Sequence, residues 1–411
     1  MKQVEVLYLS YDGMTDPLGQ SQVIPYLAGL TREGYHFHLV SFEKDENYLR
    51  EKNQIAALLK EHNITWYPLS YTKNPPVIST VIDLNRMKKT GLELIRKHDI
   101  QILHCRSYIS AMAGNYLKSK TGARFLFDMR GFWADERVDG GLWNLKNPLY
   151  NVIYKFFKQQ EKILIAKADA VVSLTENAKR EINSWKLRSN TQSEIAVIPC
   201  CADLKHFNPQ TVTRDEKESL KNQLNIPENI PVISYLGAIG TWYLLDEMLA
   251  FFKLFLNKYP SAIFLFITRE PAQIILDHAD KHTIPKASVR IYAADRKHVP
   301  VALSLSQVSL FFIKPAFSKK ASSPTKQGEI MGMGLPLICN SGIGDTDYVV
   351  KKYGTGITIN LDDTYALQHA VAAFENLKKI PPETILQGAE DFYSLDTGVK
   401  KYLEVYRAME R

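Results

Sequence analysis

Lys326 and Glu329 stand three residues apart in Ser322-Ser-Pro-Thr-Lys-Gln-Gly-Glu329, a segment that reads as the opening of a helix, so both side chains share one helical face. An ammonium and a carboxylate so placed can take a phosphate at one end and accept two ribose hydroxyls at the other. The same pair also reads as a solvated surface ion pair. Pro324 suits a first helical turn, where its missing donor costs nothing, and Ser322, Ser323 and Thr325 offer capping hydroxyls. Upstream, Gly237-Ala-Ile-Gly240-Thr241-Trp242-Tyr243 follows a strand-like run ending at Leu236 and precedes a helix through Leu249 and Phe252. Glycines there let backbone amides approach an anion, although a plain tight turn explains them as well.

Two further clusters lie in the first half of the chain. Asp12 to Ser21 forms a long loop after a strand, and Gly19, Gln20 and Ser21 precede a helix start, where their amides can meet a distal phosphate or a departing oxygen. Asp128-Met-Arg130-Gly-Phe-Trp133-Ala-Asp135-Glu136-Arg137 packs acids, bases and two aromatics into one loop. Aromatic faces suit sugar rings, carboxylates accept hydroxyl protons, and arginines offset negative charge. An ion-paired surface loop beside a buried Trp is the plainer reading. His36, His38, His104 and His206 form no close cluster and read as structural. Asp362-Asp363 reads as a helix cap. No pair of carboxylates ends a strand, so no divalent metal is implied.

These residues need elements to hold them. Val4–Ser10, Phe37–Phe42, Ile64–Leu69, Ile100–His104, Phe125–Asp128 and Ala170–Leu174 read as strands separated by helix-like stretches, the first helix spanning Gln22–Leu30. A second series starts near Pro231, with strands at Val232–Leu236, Ile263–Ile267, Val289–Tyr292, Val308–Ile313, Pro336–Ile338 and Gly356–Ile359. Alternation of this kind builds doubly wound parallel sheets. A chain of 411 residues is too long for one core. We therefore expect a Rossmann-like domain over 1–207, a second over 208–388, a closing helix over 389–411 that crosses back to the first, and ligands in the cleft between domains.

Hydrophobic residues at 45% and charged residues at 23% suit a folded globular protein. A net charge of +7 is too weak to imply nucleic acid. Cys105, Cys200, Cys201 and Cys339 lack metal-ligand spacing and read as buried thiols. With no signal-like or membrane-spanning run, a cytoplasmic protein is expected, in peripheral contact with a membrane at most. Helical stretches at Arg86–Lys97 and Tyr154–Lys162 mix basic and apolar residues and suit either a packed core face or an anionic lipid surface.

The run Ser323-Pro-Thr-Lys326-Gln-Gly-Glu329-Ile-Met-Gly-Met-Gly334-Leu-Pro336 resembles the donor-binding signature of the family 4 retaining glycosyltransferases, a GT-B group that includes cell-wall, capsule and lipopolysaccharide enzymes. The resemblance implies a GT-B fold of two Rossmann-like domains. It implies a nucleotide diphosphate sugar as donor, a UDP- or GDP-sugar, with no separate cofactor. In this reading Glu329 binds the ribose, Lys326 sits near the diphosphate, and Gly237, Gly240 and Thr241 form the loop beneath it. Tyr292 and Ala293 hold the base through backbone contacts, and Lys326, Arg130 and Asp128 serve the reacting centre. Gly19 takes the place of the last glycine of the family's first loop, and Trp133, Asp135, Glu136 and Arg137 face the acceptor. The family's first glutamate is replaced by Ala321 and the usual His by Arg130. Ser322 and Ser323 are left to recognise the sugar, and Lys314 or Arg269 to help neutralise the diphosphate. Transfer with retention to a glycan or lipid-linked saccharide follows from the resemblance. A sugar-nucleotide epimerase or hydrolase of the same fold, or a non-catalytic partner of another transferase, remains the alternative.

Overall fold

The structure is a computed structural model that describes residues 3–75, 77–189 and 194–410. The chain forms two compact units, one of residues 1–199, 317–322 and 395–411 and one of residues 200–316 and 323–394.

The first unit holds β1 (Val4–Ser10), β2 (Tyr35–Glu43), β3 (Ile64–Ser70), β4 (Ile102–Arg106), β5 (Arg124–Asp128), β6 (Ala170–Ser173) and β7 (Ala196–Val197). They lie in the order β3-β2-β1-β4-β5-β6-β7, each pair parallel. Every residue of β4 is buried, as expected of a parallel strand covered on both faces by crossover helices. The second unit holds β8 (Val232–Leu236), β9 (Ile263–Ile267), β10 (Val289–Tyr292), β11 (Val308–Phe311), β12 (Leu337–Asn340) and β13 (Gly356–Ile359), in the order β10-β9-β8-β11-β12-β13. All of β8 and β9 is buried. Helix Leu245–Lys258 covers them with Phe251, Phe252 and Phe255, and Phe255 meets Phe374 edge-on with ring centroids 4.8 Å apart.

In both sheets the order reverses beside the first strand, between β1 and β4 and between β8 and β11. Open α/β sheets collect ligands beyond the carboxyl ends of such strands, which brings forward residues 11–16 after β1 and 237–244 after β8.

The unit boundaries differ from those expected. Residues 200–207 join the second unit rather than the first, because the Cys200 amide donates to Ser323 Oγ at 3.0 Å and the Ala202 amide to the Tyr393 carbonyl at 2.8 Å. Residues 317–322, expected in the second, belong to the first. Lys319 pairs with Glu136 at 2.7 Å, the Ser318 amide reaches Asp139 at 2.9 Å, and Phe317 stacks on Phe132 at 5.2 Å. The closing helix begins at Leu395, not 389, and turns Tyr402, Leu403, Tyr406 and Met409 inward. The histidines are not all scattered either: His36 and His38 of β2 meet Glu5 of β1, since residues two apart on a strand share a face.

All four cysteines are buried. No helix among the described residues is long and apolar enough to cross a membrane. Gly356 faces Leu337 across β12 and β13, and a Cβ there would stand 2.1 Å from the Leu337 carbonyl oxygen. Gly356→Ala should therefore cost the second unit about 3 kcal/mol, read as a lower urea midpoint. An unchanged midpoint would mean that the two strands are not so tightly apposed.

Candidate active site

Lys326 lies in helix Thr325–Gly332, every residue of which from Lys326 onward is buried. Its own exposure is 7% and that of Glu329 is 9%, so neither belongs to a solvated surface pair. The Lys326 amine rests on two rings of the same unit, 3.7 Å from the centroid of Tyr243 and 4.4 Å from that of Tyr235, and donates to the Tyr235 hydroxyl at 3.2 Å. Tyr235 in turn donates to the Ala238 carbonyl at 2.5 Å, which ties the glycine loop to the lysine. Gly237, at φ +115°, leaves the space: a Cβ there would lie 2.9 Å from Lys326 Nζ. Burial pushes the Lys326 ammonium down to about 7, with Glu329 only partly opposing.

Glu329 pairs with Arg296 at 3.0 Å, and Arg296 lies over Phe207 at 5.1 Å. The helix starts at Thr325 with Pro324 as its cap and no side chain bonded to the cap, contrary to the expected Ser and Thr capping. Ser323 spends its hydroxyl on the Cys200 amide, while Ser322 belongs to the segment carried by the first unit. Ala321 is buried in the core of that first unit, where a carboxylate would have had to be desolvated. Helix Leu245–Lys258 begins with Asp246 and Glu247, which occupy its positive end and disfavour a phosphate there. Gly240 and Thr241 are exposed, and Lys314, also exposed, is tied to the loop by its amide on the Trp242 carbonyl at 2.9 Å. Arg269 is engaged by Asp295. Tyr292 has its carbonyl taken by the amides of Thr268 and Ala294, which leaves the exposed Ala293 to offer backbone contacts.

In the first unit, Asp128 ends β5 with an exposure of 1%. Tyr402 donates to it at 3.0 Å, His104 Nε2 lies at 3.4 Å, and Arg130 Nη1 at 3.9 Å. Burial works to raise its pKa, but Arg130, His104 and Arg106 together hold it down to about 2. Asp128 is thus an enclosed anion that positions Arg130 rather than a group presented to a substrate. Arg130 itself is held at φ +58°, a region few non-glycine residues occupy.

The segment from Trp133 is a helix, Trp133–Asp139, and not a loop. Trp133 packs on Trp143 and Phe157 with Arg137 4.9 Å from its ring, Asp135 accepts from Tyr154 at 2.8 Å and Lys158 at 2.7 Å, and Glu136 holds Lys319. Of these four, Asp135 lines a cavity of about 610 Å³ with Tyr154, Lys158, Trp185 and Phe317. Pro17–Gln22 is helical, so Gln20 and Ser21 lie inside a helix, and the Gln20 amide is spent on the Asp16 carbonyl at 3.2 Å. The loop before it is organised by buried Glu43, which accepts from the Met14 amide at 2.8 Å and the Thr15 amide at 3.0 Å.

Sequence reasoning missed Tyr235, Tyr243, Arg296 and Glu43. Tyr235 carried a signal, a polar-tipped aromatic one residue from the end of an apolar strand. Arg296 carried none, because only the fold brings it to Glu329.

The Lys326 amine makes a pH prediction. Unfolded, it keeps its proton up to about 10.5; folded, it releases it near about 7. Between those values the unfolded chain binds the extra proton, so stability rises with pH across the window and is lowest, and flat, below it. Lys326→Met should remove a slope of up to about 1.4 kcal/mol per pH unit, seen in urea midpoints of wild type and variant compared from about pH 7 to about pH 9. Parallel profiles would place the amine in water.

Residues 19–206 match the family model for Glycosyltransferase Family 4. No curated protein matches the chain. Among solved structures, a glycosyltransferase from Rickettsia africae superimposes with a TM-score of 0.75 at 16% identity, covering 100% of both chains. Anabaena HepE, in complex with UDP and glucose, gives 0.68 at 12%, covering 98% of this chain and 100% of its own. UDP-GlcNAc 2-epimerase from Neisseria meningitidis, bound to UDP-GlcNAc, gives 0.60 at 13%, covering 98% and 99%. At these identities the likeness is one of fold. The two parallel α/β units are those of the GT-B fold, and residues 19–206 are similar to Glycosyltransferase Family 4.

Proposed function

We propose that the protein transfers a sugar from a nucleoside diphosphate donor, a UDP- or GDP-sugar, to a glycan or lipid-linked saccharide in cell-envelope polysaccharide synthesis, with retention and without a metal at the reacting centre. The observation that carries this reading is the Lys326 amine, buried against Tyr235 and Tyr243 beside Gly237. An amine held near neutrality in that setting gains most from a dianionic diphosphate, which returns the charge stabilisation that water no longer gives. Glu329, one helical turn on, accepts the ribose hydroxyls, and Ala293 holds the base.

In the reaction the bond from the anomeric carbon to the diphosphate oxygen breaks and its electron pair leaves with the phosphate. Positive charge grows on the sugar. Lys326 as ammonium and the uncapped first turn of its helix offset the charge on the leaving group. The acceptor hydroxyl attacks from the same face, and its proton passes to the departing oxygen. Arg130, fixed by Asp128, and the cavity bearing Asp135, Trp185 and Phe317 supply the acceptor side. Val81 and Ile82 on helix Ile78–His98, and Leu149, Val152 and Phe156 on helix Pro148–Lys167, are exposed among basic residues, which suits peripheral contact with an anionic membrane and a lipid-linked acceptor.

Calorimetry with UDP and GDP near pH 8, in buffers of different ionisation enthalpy, tests the donor half. Binding should take up close to one proton, Lys326→Met should abolish that uptake, and Glu329→Ala should weaken affinity by about tenfold to a hundredfold. Nucleotide binding without proton uptake would reject the role of Lys326. Because an epimerase shares the fold, donor should also be incubated alone: complete turnover without acceptor would favour an epimerase or hydrolase. Donor binding with no transfer to any acceptor extract would favour a non-catalytic partner.

A further inference from the structure

Glu5 and His36 are register partners on β1 and β2, and His38 lies two residues further along the same face. His36 Nδ1 stands 2.7 Å and His38 Nε2 2.8 Å from the same Glu5 oxygen, Oε2, and the three ligand atoms all lie within 4.8 Å of one another. The far nitrogen of each ring meets a hydroxyl of β3: His36 Nε2 lies 3.1 Å from Thr65 Oγ1 and His38 Nδ1 3.2 Å from Tyr67 Oη. When those far nitrogens donate, both near nitrogens turn lone pairs toward one carboxylate oxygen, which is the arrangement that orients histidine ligands around a cation. Beside them, His98 at the end of helix Ile78–His98 lies 4.1 Å from His38 by ring centroids, with its Nε2 buried and without a hydrogen-bond partner.

We propose that Glu5, His36 and His38 form a binding site for one divalent transition-metal cation of the zinc type, at the amino edge of the first sheet and so at the opposite edge from the loops after β1 and β5. Two imidazoles and one carboxylate suit a borderline ion better than the oxygen-seeking magnesium or calcium. Ligands on a tetrahedral zinc stand roughly 3.3 Å apart, so the Glu5 oxygen needs to withdraw from each nitrogen by only about half an ångström. Glu5 and His36 reach solvent, which leaves an entry path and a fourth position for water. Bound there, the ion would join β1 to β2 directly and leave the transfer reaction without a metal of its own.

The full chain, stripped with a chelator and dialysed, should be titrated with zinc chloride in competition with a chromophoric chelator. One equivalent per chain is expected, with a rise in melting temperature. Glu5→Gln and His36→Ala, both at partly exposed positions, should fold, as circular dichroism would verify, and bind zinc about 100-fold more weakly. Cobalt should give the visible bands of four-coordinate ion in the wild type and lose them in His36→Ala. Zinc binding equal in wild type and both variants, or no binding above background, would overturn the proposal and leave one carboxylate hydrogen-bonded to two histidines.

Discussion

Taking an amine out of water costs more than two aromatic faces and one hydroxyl return, and the second unit accepts that cost at Lys326. Much of the local architecture follows from it. A Cβ at position 237 would crowd the amine at 2.9 Å. Tyr235, one residue before the end of its strand, sets its hydroxyl between the amine and the Ala238 carbonyl, which ties down the loop that follows. Glu329 does not cancel the charge by direct pairing, because its carboxylate is engaged by Arg296. A lysine neutralised by a close carboxylate would be a stabilising pair with little left for a ligand. Because Glu329 is engaged by Arg296, it offsets the burial of the amine only in part.

The first unit treats its buried charge in the opposite way. Asp128 is surrounded by Tyr402, His104, Arg106 and Arg130, and the two arginines together with the hydrogen bonds keep it ionised despite full enclosure. The closing helix matters for this reason as much as for its apolar face. Tyr402 bonds Asp128, and Tyr406 bonds the His104 ring at 2.6 Å, so two tyrosines one turn apart complete an ion cluster built on β4 and β5. Arg130 reaches that cluster from a left-handed backbone, its guanidinium 3.9 Å from Asp128. A side chain that must face a reacting group from a loop needs such support, since a loop alone does not hold a guanidinium in place.

The alternation of apolar runs was enough to read both parallel sheets, because strands buried on both faces must be apolar throughout and crossover helices must separate them. The pairing of Lys326 with Glu329 on one face was also legible, as helical spacing requires nothing beyond sequence. What the sequence hid was the traffic between distant segments. Residues 317–322 look like part of the second series of elements, yet Lys319, Lys320 and Phe317 find their partners in Glu136, Glu181 and Phe132 of the first unit. Asp135 and Glu136 read as acceptor groups by composition, but their charges are matched by Lys158 and Lys319. Spacing along the chain cannot distinguish an unpaired carboxylate from one met by a lysine nearly two hundred residues away.

The same limitation explains the histidines. In the sequence His36 and His38 are two imidazoles near a glycine turn, and Glu5 is an acid near the start of the chain; only the parallel register of β1 and β2 sets them opposite one another. The register is fixed by packing, since a slip of one residue would exchange Phe37 and Leu39 with His38 and Val40 between the two covered faces of the sheet. Polar residues at the amino edge are therefore brought together by the demands of the core between them. A parallel sheet makes chemistry available at both of its edges, at the carboxyl edge through the loops that leave the strands and at the amino edge through side chains whose meeting the core enforces.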